Sequence, residues 1–244
     1  MDLPFVSNET SNWLLYILTD SALPTGGFVA SSGLEASQQA GLLDAGNLAD
    51  FVASASHSYA NNSVCFVRAG YEAPNDSDPL EALTEYDAEC EAVMVANAVG
   101  RRASLAQGVA MITLYLKCFA DNPPPEGLDV NLLKRWKMYI RSEKVDGHFP
   151  ICFGLVCRFL GVDLDNTLHL WLYLFTRTLY SSAVRLNIVG PYEAQKLLLQ
   201  SRQPIERIIK ETKDMTIDDC CQTSPLLDVC QGMHDRLYTR LFNS

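Results

Sequence analysis

The sequence predicts an all-α protein, a single-domain helical bundle of roughly 8–11 helices over residues 1–244. Apolar residues recur at helical spacing along most of the chain, and short stretches rich in glycine, proline or polar residues separate these periods. No run of alternating apolar and polar residues is bounded by hairpin turns, which argues against β-strands. Since 48% of the 244 residues are hydrophobic, the chain can bury a sizeable core.

The first half of the chain predicts four helices. Their approximate bounds are 11–20, 34–40, 44–70 and 79–120. Asp78 and Pro79 form a specific start signal, because aspartate caps a helix N-terminus and proline suits the first turn. The third helix has an inward apolar face, which comprises Leu48, Phe51, Val52, Ala55 and Tyr59. The fourth is expected to break near Gly100 or Gly108.

The second half of the chain follows a proline-rich loop at 121–127. A loop of this length suits a connection within one bundle better than a linker between domains. The helices predicted after it cover about 129–141, 149–160, 165–189 and 191–213. A last helical segment begins at Ser224 and Pro225, where a capping residue again precedes a proline.

The chain is acidic, with a formal net charge of −10 at pH 7. This charge argues against duplex nucleic acid and against a polybasic membrane attachment, since both depend on clustered Lys and Arg. The first residues lack the basic region and cleavage pattern of a signal peptide, and the most hydrophobic run, 168–175, is too short to cross a bilayer. Eight cysteines in this context predict reduced thiols and a cytoplasmic protein.

The common catalytic motifs are absent from the sequence. It contains no phosphate-binding loop with its lysine, no Gly-x-Ser-x-Gly elbow, no His-Glu-x-x-His and no Cys-x-x-Cys. The carboxylates are spread along the chain, and no pair is marked as an acid–base couple. We therefore predict a protein that is not an enzyme and has no catalytic residue, cofactor or resident metal. An unrelated helical enzyme is the alternative, and it would need a pocket with perturbed acidic groups.

One group of soft metal ligands stands near the C-terminus. It comprises Cys220, Cys221, Cys230 and His234. Thiolate and imidazole together can bind a soft or borderline cation, although this spacing matches no standard zinc module. Metal binding by these four residues is therefore an alternative to thiols and an imidazole without a ligand role. Cys152 and Cys157 lie on an apolar helix, where buried thiols are expected.

Four segments combine glycine, polar and aromatic residues more densely than core packing requires. They cover 21–35, 147–150, 181–195 and 224–242. Ser182 and Arg185 lie three residues apart on one helical face, with Glu193 just beyond a Gly-Pro joint, and an internal ion pair is one interpretation. Residues 233–242 predict a helix whose apolar end frays unless it docks onto the protein itself or onto a partner. The apolar face of that helix comprises Met233, Leu237, Tyr238, Leu241 and Phe242.

Taken in order, these segments resemble the urease accessory proteins of the F type. The resemblance covers nearly the whole chain, from Leu-Pro-Thr-Gly-Gly-Phe at 23–28 to Arg-Leu-Tyr-Thr-Arg-Leu-Phe-Asn-Ser at 236–244. Its other pieces are Arg-Arg-Ala-Ser-Leu-Ala-Gln-Gly at 101–108 and Gly-His-Phe-Pro at 147–150. The chain departs from many relatives at Val29 and Ala30, where they carry His or a bulkier residue. Its loop 121–127 is longer than in compact bacterial relatives, which indicates a eukaryotic, fungal-like member.

The resemblance implies a non-enzymatic and usually dimeric protein. It further implies a bridge between two other accessory proteins, a D-type protein (also called H-type) that contacts urease and a G-type GTPase that carries nickel. In such an assembly nickel is inserted into the urease apoenzyme, and the F protein couples the state of the GTPase to metal transfer. Nickel and GTP are therefore expected on the partners. The alternative to this adaptor role is a direct nickel carrier that uses Cys220, Cys221, Cys230 and His234.

Partner contacts are expected in the unusual segments and along the C-terminal segment 224–244. The candidate residues are Pro24, Gly26, Gly27, Phe28, Ser32, Gly33, Glu35, Gln107, Gly147, His148, Ser182, Arg185, Glu193, His234, Arg236, Leu237, Tyr238, Arg240, Leu241 and Phe242. For the glycine loop and the helix entry at 147–150, the alternative to partner contact is a purely structural role as turns. Arg185 can bond internally, form a dimer contact or be offered to the GTPase, where a guanidinium stabilises phosphoryl-transfer charge.

Overall fold

A computed structural model shows an all-α architecture. It describes residues 8–25, 27–121 and 123–243, apart from the side chains of 8–12 and Phe28. Over these ranges the chain forms eleven α-helices and no β-strand, which confirms the predicted fold class. None of the helices in this part of the chain is both long enough and apolar enough to cross a lipid bilayer.

The helices are joined by loops and short 3₁₀ segments. In chain order they are α1 (Asn8–Thr19), α2 (Leu34–Gln39), α3 (Leu48–Glu72), α4 (Pro79–Met94), α5 (Ala98–Leu114), α6 (Leu132–Arg141), α7 (Phe149–Phe159), α8 (Leu164–Arg185), α9 (Pro191–Gln200), α10 (Arg202–Thr212) and α11 (Pro225–Gly232). The 3₁₀ segments are Gly27–Val29, Ala73–Asn75, Ile217–Asp219 and Met233–Arg236. Helix α5 continues into a π-helical turn at Tyr115–Phe119.

Local chemistry explains two helix breaks, of which the first differs from the prediction. The segment predicted as one helix over 191–213 is divided at Ser201, because Pro204 has no N–H and is tolerated only in a first helical turn. The long helical sequence before the proline-rich loop is interrupted between α4 and α5, near Gly100 as expected. There the Asn97 side chain accepts a hydrogen bond from Gly100 N (2.9 Å) and so caps the start of α5.

The chain folds into two compact units, each assembled from separate stretches. The first comprises Met1–Gly26, Phe66–Glu91 and Ser104–Leu170, and the second comprises Gly27–Cys65, Ala92–Ala103 and Trp171–Ser244. Each unit has its own buried core, described below. The expectation that the whole chain forms one domain stays a prediction.

Helix α7 is the core of the first unit. Its sequence is apolar apart from Arg158 in the last turn, and a helix of this kind is buried on most sides. Nine of its eleven residues are buried. The predicted burial of Cys152 and Cys157 is confirmed, and desolvation raises the pKa of both thiols, that of Cys157 to about 12.

Glycine lets α7 approach the end of α3 closely. A Cβ added to Gly154 would collide with the carbonyl oxygen of Val67 and would lie 2.9 Å from Tyr71 N. A Cβ added to Gly70 would lie 2.8 Å from Ile151 Cα. Side-chain carbons do not approach backbone atoms this closely, so the two glycines permit the helices to cross in backbone contact.

The entry to α7 is held by one buried carboxylate. Asp87 of α4 is 1% exposed and accepts hydrogen bonds from the backbone N–H groups of Asp146 (2.7 Å), Gly147 (2.9 Å) and His148 (2.8 Å). These N–H groups precede the helix and would otherwise need another acceptor. Gly147 has φ +81, and a Cβ there would lie 2.6 Å from Ile140 Cδ1, so the turn requires glycine.

The core of the second unit is apolar and aromatic. Its buried residues are Leu34, Leu43, Leu48, Val52, Ala55, Leu179, Tyr180, Ala183 and Ala194. Tyr59 stacks on Phe175 and Trp171, with ring centroids 3.9 and 5.2 Å away. Trp171 Nε1 donates to Ser63 Oγ (2.9 Å), which satisfies a buried polar group. The predicted inward face of α3 is thus confirmed, although Phe51 and Tyr59 are only half-buried.

We expect Gly154→Ala to lower the free energy of unfolding by about 1–3 kcal/mol, because the added methyl group forces two crossing backbones apart. Gly232→Ala is the matched control. This glycine has φ −63, and a Cβ added there would meet no atom within 4 Å, so alanine should be neutral or stabilising. Urea unfolding followed by circular dichroism measures both variants, and equal midpoints would contradict the close crossing.

Asp87→Asn should lower the free energy of unfolding by about 1–3 kcal/mol, because the new NH₂ group faces backbone donors and leaves at least one of them unsatisfied. Glu89→Gln, at an exposed position on the same helix, serves as the control and should change stability by less than about 0.5 kcal/mol. Urea midpoints again provide the measurement. A midpoint for Asp87→Asn that equals the wild-type value would show that the carboxylate does not hold the entry.

Candidate functional site

Segments that the sequence singled out meet at the C-terminal end of the chain, in the second unit. The Glu35 carboxylate of α2 is 2% exposed and accepts hydrogen bonds from Leu241 N (2.7 Å) and Phe242 N (3.3 Å). In addition, Asn243 N donates to Val29 O (2.9 Å). Backbone hydrogen bonds therefore tie the end of the described chain to α2 and the segment before it.

Phe242 packs beside Arg185. The Phe242 side chain is buried, and its ring centroid lies 4.3 Å from the Arg185 guanidinium carbon, which is a cation–π distance. Arg185 also donates to Ser182 Oγ (3.2 Å), and burial lowers the pKa of its guanidinium. These contacts favour the internal interpretation of Arg185. Glu193 is not part of them, since it is exposed and pairs with Lys196 (3.3 Å).

His234 is completely buried and contacts the same segment. Its Nε2 lies 3.2 Å from Phe242 O, and since a carbonyl oxygen only accepts, this contact places a proton on Nε2. The other ring nitrogen, Nδ1, has no hydrogen-bond partner and lies 3.9 Å from the Glu35 carboxylate.

Polar contacts fix α11 to the start of α5. Asn97 Nδ2 donates to Asp228 Oδ1 (2.6 Å) and to Gln231 Oε1 (3.0 Å). Just after α11, Asp235 accepts two hydrogen bonds from Arg102 (2.9 and 3.1 Å), and this interaction lowers the pKa of Asp235. The residues that follow α11 therefore begin from a helix whose position is fixed.

The prediction of a helix over 233–242 is wrong. The chain forms a 3₁₀ segment at Met233–Arg236 and is extended at Leu237 (φ −66, ψ 135). Glu35 provides the physical reason, because its carboxylate accepts the two N–H groups that an α-helix would pair with carbonyls four residues earlier. The predicted apolar face is therefore divided, with Phe242 buried and Leu237 half-buried.

Other apolar side chains near the C-terminus stay exposed. We call Leu226, Val229, Met233, Tyr238 and Leu241 the C-terminal apolar surface; their exposed fractions are 62, 57, 37, 101 and 59%. The first three are spaced three and four residues apart, which places them along one side of α11 and its extension. Arg236 and Arg240 are exposed in the same stretch and add positive charge to it.

The glycine-rich segment is described only in part. Gly26 and the side chain of Phe28 lie outside the described residues. Pro24 is exposed, and Gly27 begins a 3₁₀ segment. Gly33 has φ +86, and the backbone of α11 comes within 3.1 Å of where its Cβ would be. A role of this segment in partner binding stays a prediction.

The Gly-His-Phe-Pro segment lies in the first unit, at the entry to α7. His148 is completely buried, with its Nδ1 3.2 Å from Ser104 Oγ and its Nε2 3.0 Å from Glu91 Oε2. Glu91, Asp146 and His148 bring three potential metal-ligating atoms within 4.8 Å of one another. No other such group occurs in the part of the chain that the structure describes. Gln107, on the same helix as Ser104, is half-buried.

The soft-ligand group predicted near the C-terminus is not assembled in the described residues. Its members are Cys220, Cys221, Cys230 and His234. Cys230 is buried, whereas Cys221 is exposed. A hydrogen bond from Cys65 of α3 lowers the pKa of Cys220, and His234 is engaged with Phe242. The four side chains thus have separate surroundings, because the turn that begins α11 divides the first two cysteines from the others.

Sequence reasoning missed the partners of His148. Asp146 adjoins the Gly-His-Phe-Pro motif, and this proximity was a usable signal. Glu91 stands 57 residues earlier than His148, and Asp87 stands 61 residues earlier. Nothing in the sequence distinguishes Glu91 from Glu89 on the same acidic helix, so only the packing of α4 against the α7 entry identifies it.

Comparison with known proteins agrees with the resemblance seen in the sequence. The UreF family model matches residues 42–202, which is more than half of the chain. Urease accessory protein 6 of Cryptococcus neoformans var. grubii is 33% identical over 95% of this chain and 96% of its own length. Urease accessory protein F of Arabidopsis thaliana is 34% identical over 98% and 95%, and that of Oryza sativa subsp. indica is 32% identical over 96% and 86%. The chain therefore belongs to the UreF family.

Proposed function

We propose that this protein is a non-enzymatic urease maturation factor that bridges a D/H-type accessory protein and a nickel-carrying G-type GTPase for nickel insertion into urease. Membership of the UreF family supports a role in urease maturation, since relatives that match over nearly their whole length are named urease accessory proteins. In this proposal the protein works in the cytoplasm as a homodimer. Nickel and GTP are bound by its partners.

The C-terminal apolar surface is the observation that carries the bridging role. Exposed apolar side chains concentrated in one stretch of a protein are typical of a docking site. Tyrosine is enriched among the residues that dominate interface energies, and Tyr238 is fully exposed. Burying Tyr238 and Leu241 against a partner would contribute about 1.5–3 kcal/mol each.

The anchoring of this surface supports the same role. The hydrogen bonds from Leu241 N and Phe242 N to Glu35 hold the backbone that carries the exposed Leu241 side chain and the buried Phe242 ring. A segment that is ordered before binding loses less conformational entropy on binding, so more of the contact energy appears as affinity. Arg185 helps to hold the segment in place, because its guanidinium packs over the Phe242 ring. In our proposal the GTPase is regulated because the complex holds it, and Arg185 does not contact it.

Replacing Tyr238 and Leu241 together by Ala should weaken capture of the accessory partners at least tenfold, because each side chain contributes more than about 1.4 kcal/mol to the interface. Urease activity in cells that lack their own F-type protein should fall in parallel. Met138→Ala, which removes a similarly exposed apolar side chain on α6, is the control and should leave both readouts unchanged. Pull-down with the two accessory proteins gives the measurement, and an intact assembly with the double variant would refute the docking role.

Glu35→Gln tests the anchor separately from the surface. The amide offers one acceptor oxygen and one NH₂ group to two backbone donors, so one of the donors loses its partner. We expect faster hydrogen exchange of the Leu241 and Phe242 amides by about tenfold and a weaker partner affinity, with α-helical content unchanged. Glu193→Gln, whose carboxylate pairs only at the surface with Lys196, should change neither amide. Unchanged exchange in Glu35→Gln would mean that Glu35 does not order the segment.

A further inference from the structure

The cluster of Glu91, Asp146 and His148 has the composition of a metal site. It offers one imidazole nitrogen and two carboxylate oxygens, and the three atoms lie within 4.8 Å of one another. Ligand atoms that share a small divalent ion at about 2.0–2.2 Å are separated by about 3–3.5 Å. His148 Nε2 and Glu91 Oε2 already have a separation of 3.0 Å, so the side chains need only small movements to meet one ion.

The backbone that carries two of these ligands is held rigidly. Asp146 and His148 flank Gly147, and the N–H groups of all three residues donate to the buried Asp87 carboxylate. The φ of +81 at Gly147 produces the turn between the two ligands. Supporting hydrogen bonds of this kind are what keeps metal ligands in position in the absence of the ion.

Ser104 supports both states of the His148 ring. Its Oγ accepts a hydrogen bond from Phe149 N (3.0 Å) and lies 3.2 Å from His148 Nδ1. Without an ion, the hydroxyl can donate to Nδ1 while Nε2–H donates to Glu91. With an ion, the hydroxyl can accept from Nδ1–H and the Nε2 lone pair becomes available as a ligand. The change moves a proton between ring nitrogens and needs no net protonation.

We propose that Glu91, Asp146 and His148 bind one first-row divalent transition-metal ion, with water completing the coordination. The imidazole favours ions such as Ni²⁺, Co²⁺ and Zn²⁺ over Mg²⁺ and Ca²⁺, which prefer oxygen ligands alone. The two carboxylates neutralise the charge of the ion, and both are half-buried, whereas the imidazole is fully buried. Glu91 and Asp146 each have a further interaction within the protein.

This site goes beyond the bridging role, because it makes the chain itself a cation-binding protein. It lies in the first unit, whereas the C-terminal apolar surface lies in the second. It also differs in chemistry from the thiol-containing group that the sequence suggested, since it contains no sulfur ligand. Cation binding and partner binding are therefore measured by separate experiments, and either one can fail without the other.

The test is isothermal titration calorimetry of the purified full chain with NiCl₂, ZnCl₂ and, as a hard cation, MgCl₂. We expect one Ni²⁺ or Zn²⁺ per chain and no competition from Mg²⁺. Glu91→Gln and Asp146→Asn should each weaken Ni²⁺ binding by at least about tenfold, since loss even of a supporting residue has that effect on metal affinity. Glu89→Gln, an exposed carboxylate on the same helix, should bind as the wild type does. Thermal unfolding of each variant without metal confirms that it is folded.

Cobalt(II) absorption identifies the ligand atoms independently of affinity. The proposed site predicts a nitrogen–oxygen spectrum without a thiolate charge-transfer band, and an unchanged spectrum in Cys220→Ser. The absence of stoichiometric binding, or binding that survives both carboxylate substitutions, would leave the cluster as a buried His–Glu hydrogen bond and overturn the proposal. A thiolate band would overturn it in favour of a cysteine site. Because no urease or accessory protein is present, none of these results bears on the bridging role.

Discussion

In each unit, one irregular segment is held in place by hydrogen bonds from its backbone N–H groups to a buried carboxylate, and the candidate sites depend on this interaction. Asp87 and Glu35 are 1% and 2% exposed, and burial of a carboxylate is unfavourable unless donors replace its water. In the first unit the donors belong to residues 146–148, and in the second they belong to Leu241 and Phe242. All of these donor residues lie outside α-helices. Each carboxylate therefore determines the path of a loop that has no regular backbone hydrogen bonds of its own.

In the second unit this interaction orders the backbone near Leu241 and Phe242, so that the exposed side chains there form a defined surface. An apolar C-terminus that is tethered at one point is expected to fray. Here the Glu35 bonds, the Phe242 ring against Arg185 and the contact between His234 and Phe242 O hold the backbone in place. Tyr238 and Leu241 are left pointing away from the protein's own core. The same arrangement that buries one aromatic side chain thus presents another for a partner, which is the basis of the proposed bridging role.

In the first unit the same interaction orders a different kind of chemistry. The Asp87 bonds hold the turn at Gly147, and that turn brings Asp146 and His148 together beside Glu91. Ser104 fixes the other side of the imidazole ring. A urease maturation factor with its own cation site would take part in metal handling directly, and the bridging role would then account for only part of its work. The proposed ligands are oxygen and nitrogen atoms, which suit an ion that must be released again better than a thiolate cluster does.

The helical architecture follows from local sequence, because helix formation depends on the spacing of apolar residues and on capping and breaking residues that act within a few positions. The inward face of α3, the burial of Cys152 and Cys157 on α7 and the start signal at Asp78 all follow from such local rules. The family resemblance likewise came from the order of short motifs along the chain, and similarity over nearly the full length of fungal and plant relatives confirmed it.

Which of these elements bond to one another depends on tertiary packing and is not visible in the local sequence. The predicted helix over 233–242 does not form, because Glu35, more than 200 residues earlier, accepts hydrogen bonds from the N–H groups of Leu241 and Phe242. The pairing of Glu91 with His148 spans 57 residues, and the separation of the C-terminal cysteines depends on the turn before α11. Periodicity reports the preference of a segment for its own backbone hydrogen bonds, whereas a buried side chain from a distant helix can offer a better acceptor. That competition is settled by packing, so the sequence alone does not reveal its outcome.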